Sequence, residues 1–235
     1  MRILHQDSQR IIATLYDWMI DKAHEAVSHH GFVALTLTGG ATPRPLYEYM
    51  ASHQKSWPWS QTLVFWGDER DVPSYSPQSN FRMVYESLLS RLTQPPAAIH
   101  RWWTLHDSAQ TLAHYRQALR RLPSENGIPI LDLVLLGVGG DGHVASLFPG
   151  SPQLKSRDIV ATGPGPIAPR WTLTFPTLQA ARNLALLVMG QEKSSMVRMA
   201  VEDHYPYPVN LLPEHTTWFL DEAASNQLTH AVADE

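Results

Sequence analysis

The chain has 235 residues, 43% of them hydrophobic, a formal net charge of −4 and no cysteine. That length and apolar content are enough to bury a full core, and the organisation expected is one domain over 1–235. The slight acidity leaves no general basic field for nucleic acid or an anionic membrane surface, and the lack of cysteine removes disulfides, thiolate nucleophiles and cysteine zinc sites. The opening MRILHQDSQR has no apolar h-region, and no window reaches the roughly 18 apolar residues of a membrane span. A soluble, cytoplasmic protein is expected.

From Ser8 to His30, apolar residues such as Ile11, Ile12, Leu15, Met19, Ala23 and Ala26 recur at helical spacing. Ser8 is placed to cap the start and Gly31 the end. Residues 32–38 are β-rich and run into GGATPRP, after which Leu46, Tyr47 and Met50 mark another helix. A loop at 54–60 precedes LVFWGDER, which reads as one short strand ending in charges. The loop DVPSYSPQS, a helix over 80–92 and a strand over 99–103 come next. A further helix over about 107–122 has Asp107 as its cap.

Residues 123–129 turn the chain into the apolar run 131–138, and beyond Gly150 the proline-rich GPGPIAPR leads to the β-like WTLTF. A short helix over 177–182, a strand over 184–189, a helix over 191–201 and a last strand over 218–221 complete the series. Strands alternating with helices predict an α/β protein: a mostly parallel, Rossmann-like sheet with helices on both faces.

Three stretches can carry chemistry. The run at 131–138 breaks into four glycines within six positions, and the break holds Asp141 and His143. A buried parallel strand delivering a loop at its carboxyl end is where open α/β sheets keep their sites. A carboxylate beside an imidazole fixes its tautomer and leaves the other nitrogen to take a proton from water. If VASLF forms a helix, His143 lies in its first turn, where the positive end disfavours imidazolium. Asp141 as a plain helix cap, with His143 structural, remains open. Gly137-x-Gly139-x-x-Gly142 also fits the literal dinucleotide fingerprint, but the prolines at Pro149 and Pro152 stop any helix too soon for the usual crossover.

The turn Thr38-Gly39-Gly40-Ala41-Thr42-Pro43 can aim backbone amides and a hydroxyl at an anion, or be an unliganded strand-to-helix turn. It lacks the Gly-Lys-Ser/Thr ending of a P-loop. Asp68, Glu69 and Arg70, with Asn80 ten residues on, can hold sugar hydroxyls and an oxyanion, or be a solvated charge cluster. Arg170 and Lys193 are further anion candidates. The histidines show no metal-ligand spacing, so no metal site is expected.

The blocks LTLTGGATPRPLY, FWGDERDVP with SNFRM, LLGVGGDGHVASLFPGS, PRWTLTFPTLQAARN, GQEKSSMV and WFLDEAA resemble, in order, the 6-phosphogluconolactonases of the pentose phosphate pathway. The resemblance spans roughly residues 32–224 and implies a fold related to the glucosamine-6-phosphate deaminases and ribose-5-phosphate isomerases. It implies metal-free, cofactor-free hydrolysis of 6-phospho-D-glucono-1,5-lactone. His143 then falls on the general base and Asp141 on its acidic neighbour. Gly39, Gly40, Thr42, Arg170 and Lys193 fall on the phosphate grip. Arg70 meets either the phosphate or the developing oxyanion, and Asp68 lies among the substrate-binding residues.

The partner implied is a small sugar-phosphate lactone, with neither nucleic acid nor membrane. The chain itself is expected to be a monomer or weak homo-oligomer. The deaminases carry an acid just before the proline of this loop, where this chain has Phe148, which disfavours isomerase-deaminase chemistry. A non-catalytic sugar-phosphate-binding domain is the alternative of another class. The three prolines of EDHYPYPVNLLPEHTT bear on how that region closes over the site.

Overall fold

The structure is a computed structural model, and the residues described are 2–229. The first half contains β1 (Arg2–Gln6), α1 (Ser8–His30), β2 (Val33–Leu37), α2 (Arg44–Ser52), β3 (Thr62–Trp66), β4 (Asp68–Arg70), α3 (Asn80–Ser87), β5 (Ala98–His100) and α4 (Ser108–Leu119). A small hairpin, β6 (Ser124–Glu125) and β7 (Ile128–Pro129), leads to β8 (Leu133–Leu136). After it come β9 (Val160–Gly163), β10 (Arg170–Leu173), α5 (Phe175–Gln179), β11 (Asn183–Val188), α6 (Ser194–Val201), β12 (Thr217–Asp221) and α7 (Glu222–Ser225).

Seven strands form the main sheet in the order β1-β12-β11-β8-β2-β3-β5, every neighbouring pair parallel. All residues of β2, β8 and β12 are buried, which is why these segments read as unbroken apolar runs rather than alternating ones. The order reverses at β2 and β8. From β2 the chain steps outward to β3 and β5, and from β8 it steps the other way to β11 and β12. Open α/β sheets bind ligands in the crevice at the carboxyl ends of such a pair. Among the described residues no helix is long and apolar enough to cross a membrane.

Four expectations need correction. The cap of α1 is Asp7, whose Oδ1 accepts from the amides of Gln9 and Arg10 at 3.0 and 3.1 Å. Ser8 instead donates from Oγ to Asp221 Oδ2 at 3.1 Å, tying the helix start to β12. LVFWGDER is two strands in two sheets, because Gly67 donates to Leu37 O in the main sheet while its own carbonyl accepts from Leu173 in β10. VASLF forms no helix: Ala145 has φ +48°, and Val144 bridges back to Val138 and on to Leu147. Finally, the strands β1 and β9 were not expected from RILHQ or from the residues before GPGPIAPR.

Candidate active site

The loops that leave β2 and β8 flank the point where the strand order reverses. The first contains Gly39, Gly40 and Thr42; the second contains Asp141 and His143. A second sheet, antiparallel in the order β4-β10-β9, brings Arg70 and Arg170 to the same region. Ser146 joins the β8 loop to this small sheet. Its Oγ donates to Asp68 Oδ2 at 2.6 Å, and its amide donates to Thr172 Oγ1 at 3.2 Å.

Within the β8 loop, Gly142 donates to Gly139 O at 3.0 Å and Gly139 donates to His143 O at 2.9 Å, a tight turn that folds the imidazole back over the chain. His143 Nδ1 lies 2.5 Å from Asp141 Oδ1, and the His143 amide donates to the same oxygen at 3.2 Å. This closeness requires glycine at 139, since a Cβ there would stand 2.0 Å from His143 Nδ1. The bond to a carboxylate assigns the proton to Nδ1 and leaves Nε2 with its lone pair. Partial burial works to raise the Asp141 carboxyl, but the bonds from His143 outweigh it and hold the group below its ordinary range. His143 is partly exposed, with the Phe148 ring 4.5 Å away between centroids.

Arg170 lies directly across from Arg70 in the β4–β10 register, so both side chains leave the same face. Like charges placed so are destabilising by themselves. Neither arginine forms an ion pair among the described residues, and the Nε of each is buried without a partner. Arg70 spends one donor on Gln78 O at 2.6 Å, and Arg170 sits 5.8 Å from the Phe148 ring centroid. Arg170 is only 6% exposed. Burial lowers its guanidinium below the usual range, Asp68 opposes this and the charge of Arg70 adds to it. Two cations pressed together with open donors make a site for an anion.

The acids have internal tasks. Asp68, 6% exposed, accepts from Ser146 through Oδ2 and from Asn80 Nδ2 through Oδ1 at 3.1 Å. It ties the β8 loop, the small sheet and α3 together, a task its sequence position did not suggest. Glu69 accepts from the amides of Arg70, Asn80 and Phe81 and from Ser79 Oγ, holding the start of α3. Its expected role in holding sugar hydroxyls is not what the structure gives it.

The remaining candidates are placed less closely. The carboxamide of Asn80 fills the space where a Cβ on Gly39 would stand, at 1.8 Å from Oδ1, so α3 seats directly on the β2 loop. Gly40 and Arg70 share a cleft of about 310 Å³. Thr42 is half-buried in the same loop. Lys193 stands past the carboxyl end of β11, the strand beside β8, where the chain turns into α6; among the described residues no side-chain hydrogen bond or ion pair joins it to the other candidates. The proline-rich segment after α6 closes over the β8 loop: Val209 donates to Gly142 O at 3.0 Å, and the Tyr207 ring lies against Gly142. Ser146 and Tyr207 are therefore site-building residues that sequence reading missed. The prolines around Tyr207 marked its segment but not the residue, and nothing local marked Ser146 as a tie to Asp68.

Comparison with known proteins gives a consistent result. The family model described as Glucosamine-6-phosphate isomerases/6-phosphogluconolactonase matches residues 6–220. A 6-phosphogluconolactonase of Nostoc sp. is 36% identical over 234 residues, covering 95% of this chain and 96% of that protein. One of Synechocystis sp. is 37% identical over 213 residues, covering 87% and 88%. The crystal structure of 6-phosphogluconolactonase from Thermotoga maritima matches with a TM-score of 0.82 at 30% identity, over 94% of this chain and 99% of that one. A monomeric glucosamine-6-phosphate deaminase matches with a TM-score of 0.80 at 19% identity, over 96% and 99%, and shares the fold. The chain belongs to the Glucosamine-6-phosphate isomerases/6-phosphogluconolactonase family.

Proposed function

We propose that this chain hydrolyses 6-phospho-D-glucono-1,5-lactone to 6-phospho-D-gluconate, a step of the oxidative pentose phosphate pathway. The observation that carries the reading is the His143–Asp141 pair, its Nε2 left open, at the crevice that also holds the unpaired Arg70 and Arg170. Arg170, Lys193 and the Gly39-Gly40-Thr42 loop bind the phosphate, and Arg70 stands where it meets phosphate or oxyanion. The remote phosphate thus holds the ring while the base acts at its far end.

Water adds to the lactone carbonyl carbon as His143 Nε2 takes its proton, and Asp141 steadies the imidazolium that forms. Collapse of the tetrahedral intermediate breaks the bond to the ring oxygen, which receives that proton from His143. The acid formed then ionises and releases one proton to solvent. A lactone is an activated ester, so general-base catalysis of about 10²–10⁴-fold plus positioning is enough without a covalent nucleophile. The Ser146 hydroxyl, buried and bonded to Asp68, supports a water mechanism.

Phe148 against His143 favours this chemistry over isomerase-deaminase chemistry, since an apolar ring cannot relay a proton to the imidazole. The proposed active unit is a single-domain monomer, at most a weak homo-oligomer, working in the cytoplasm. The test is turnover of freshly made 6-phosphogluconolactone beside glucosamine 6-phosphate. Acceleration of the first alone supports the reading; ammonia release from the second alone overturns it.

A further inference from the structure

The cleft of about 310 Å³ beside the β2 loop has Gly40, Ala41 and Arg44 on one side and Arg70, Asn80 and Arg82 on the other. Two of its three guanidiniums have partners inside the protein. Arg82 bonds Glu86 Oε1 at 2.7 Å and Tyr75 O at 2.6 Å, and Arg70 bonds Gln78 O. Arg44 forms no ion pair or side-chain hydrogen bond among the described residues.

Its position makes that absence informative. Arg44 is the first residue of α2, a nine-residue helix with no acid in its first turn and no side-chain cap. A cation at the positive end of a helix is unfavourable, and the same end favours an anion. Glu48, one turn on, is spaced to pair with Arg44 but does not. In the same walls the Arg70 Nε is buried without a partner. The one carboxylate in the lining, Glu86, is bonded to Arg82, so helix end, arginines and the open Arg70 Nε converge on one cavity where no acid pairs with Arg44 among the described residues.

We propose that Arg44 is a substrate-binding residue, which with Arg70 takes the phosphate of the sugar phosphate from the open side of the Gly39–Thr42 loop. This rests on the lactonase reading for the identity of the sugar phosphate, but not for the anion site itself.

The experiment measures affinity for inorganic phosphate and for 6-phosphogluconate by calorimetry at constant ionic strength, together with steady-state kinetics on 6-phosphogluconolactone. Wild type, Arg44→Ala and Arg44→Lys are compared, with Tm recorded for each. Losing one charge-assisted contact should weaken both ligands about tenfold in Arg44→Ala and raise KM alike, with kcat within about twofold. Arg44→Lys should recover part of the affinity, since it keeps the charge and loses the fork. Tm of Arg44→Ala should stay level or rise, because the conflict with the helix end is gone. Unchanged phosphate affinity in Arg44→Ala, with or without a fall in Tm, would overturn the proposal. A wild type that binds phosphate through Arg44 but leaves the lactone untouched would sink the lactonase reading and leave this one standing.

Discussion

His143 commits one ring nitrogen to Asp141 and keeps the other free, and this division decides what single substitutions should do. Asp141→Asn removes the charge that steadies imidazolium, so kcat should fall by about 10–10²-fold with little change in KM, checked by steady-state kinetics. The Asp141 carboxyl is held below its ordinary range. The support it gives is therefore present above that range and is lost only as pH falls through the lowered value. Gly139→Ala should abolish most turnover while the protein stays folded, because its Cβ would displace both members of the pair; kcat beside Tm tests it. Asp141 and His143 were legible because they are two residues apart. The apposition of Arg70 and Arg170 was not, since only strand register brings residues a hundred positions apart together.

At the scale of elements, the chain's departure from the main sheet at Gly67 builds the site. The Tyr115 hydroxyl donates to Trp66 O at 2.7 Å and accepts from the Trp66 amide at 2.8 Å, taking the place of a strand partner where β3 ends. Glu69 then anchors α3 to β4 through three bonds, from Ser79 Oγ and the amides of Asn80 and Phe81. Glu69→Gln puts amide hydrogens against donors and should destabilise the fold by about 1–3 kcal/mol near neutral pH, read from urea unfolding. Burial raises the Glu69 carboxyl despite its backbone bonds. Its contribution is thus fullest below the unfolded value and declines as pH rises through the raised one. The difference between wild type and Glu69→Gln should narrow over that rise. The long apolar strands could be read from the sequence because burial on both faces leaves them unbroken. The small sheet could not, since β4, β9 and β10 have three or four residues each and distant partners. VASLF misled because apolar spacing at Val144, Leu147 and Phe148 imitates a helix, whereas the segment turns on itself.

The whole molecule is slightly acidic, yet Arg44 and Arg70 line one cleft and Arg170 lies across from Arg70, so attraction for an anionic substrate has to be local. Added salt should raise KM while leaving kcat nearly unchanged, because screening acts over roughly 10 Å at 0.1 M and touches binding rather than the proton transfer. Kinetics between low and high sodium chloride check this, and an unaltered KM would speak against electrostatic capture. The parallel sheet was legible from the alternation of elements, and the candidate loops fall at its strand ends; the particular contact of Tyr207 on the β8 loop was not legible, because it joins segments far apart in sequence. The most direct test of the account compares His143→Ala with wild type in proton release from fresh 6-phosphogluconolactone, corrected for spontaneous opening, while 6-phosphogluconate binding is measured in both. The variant should bind nearly as wild type and lose the acceleration; a variant that binds and turns over like wild type would remove His143 from the mechanism.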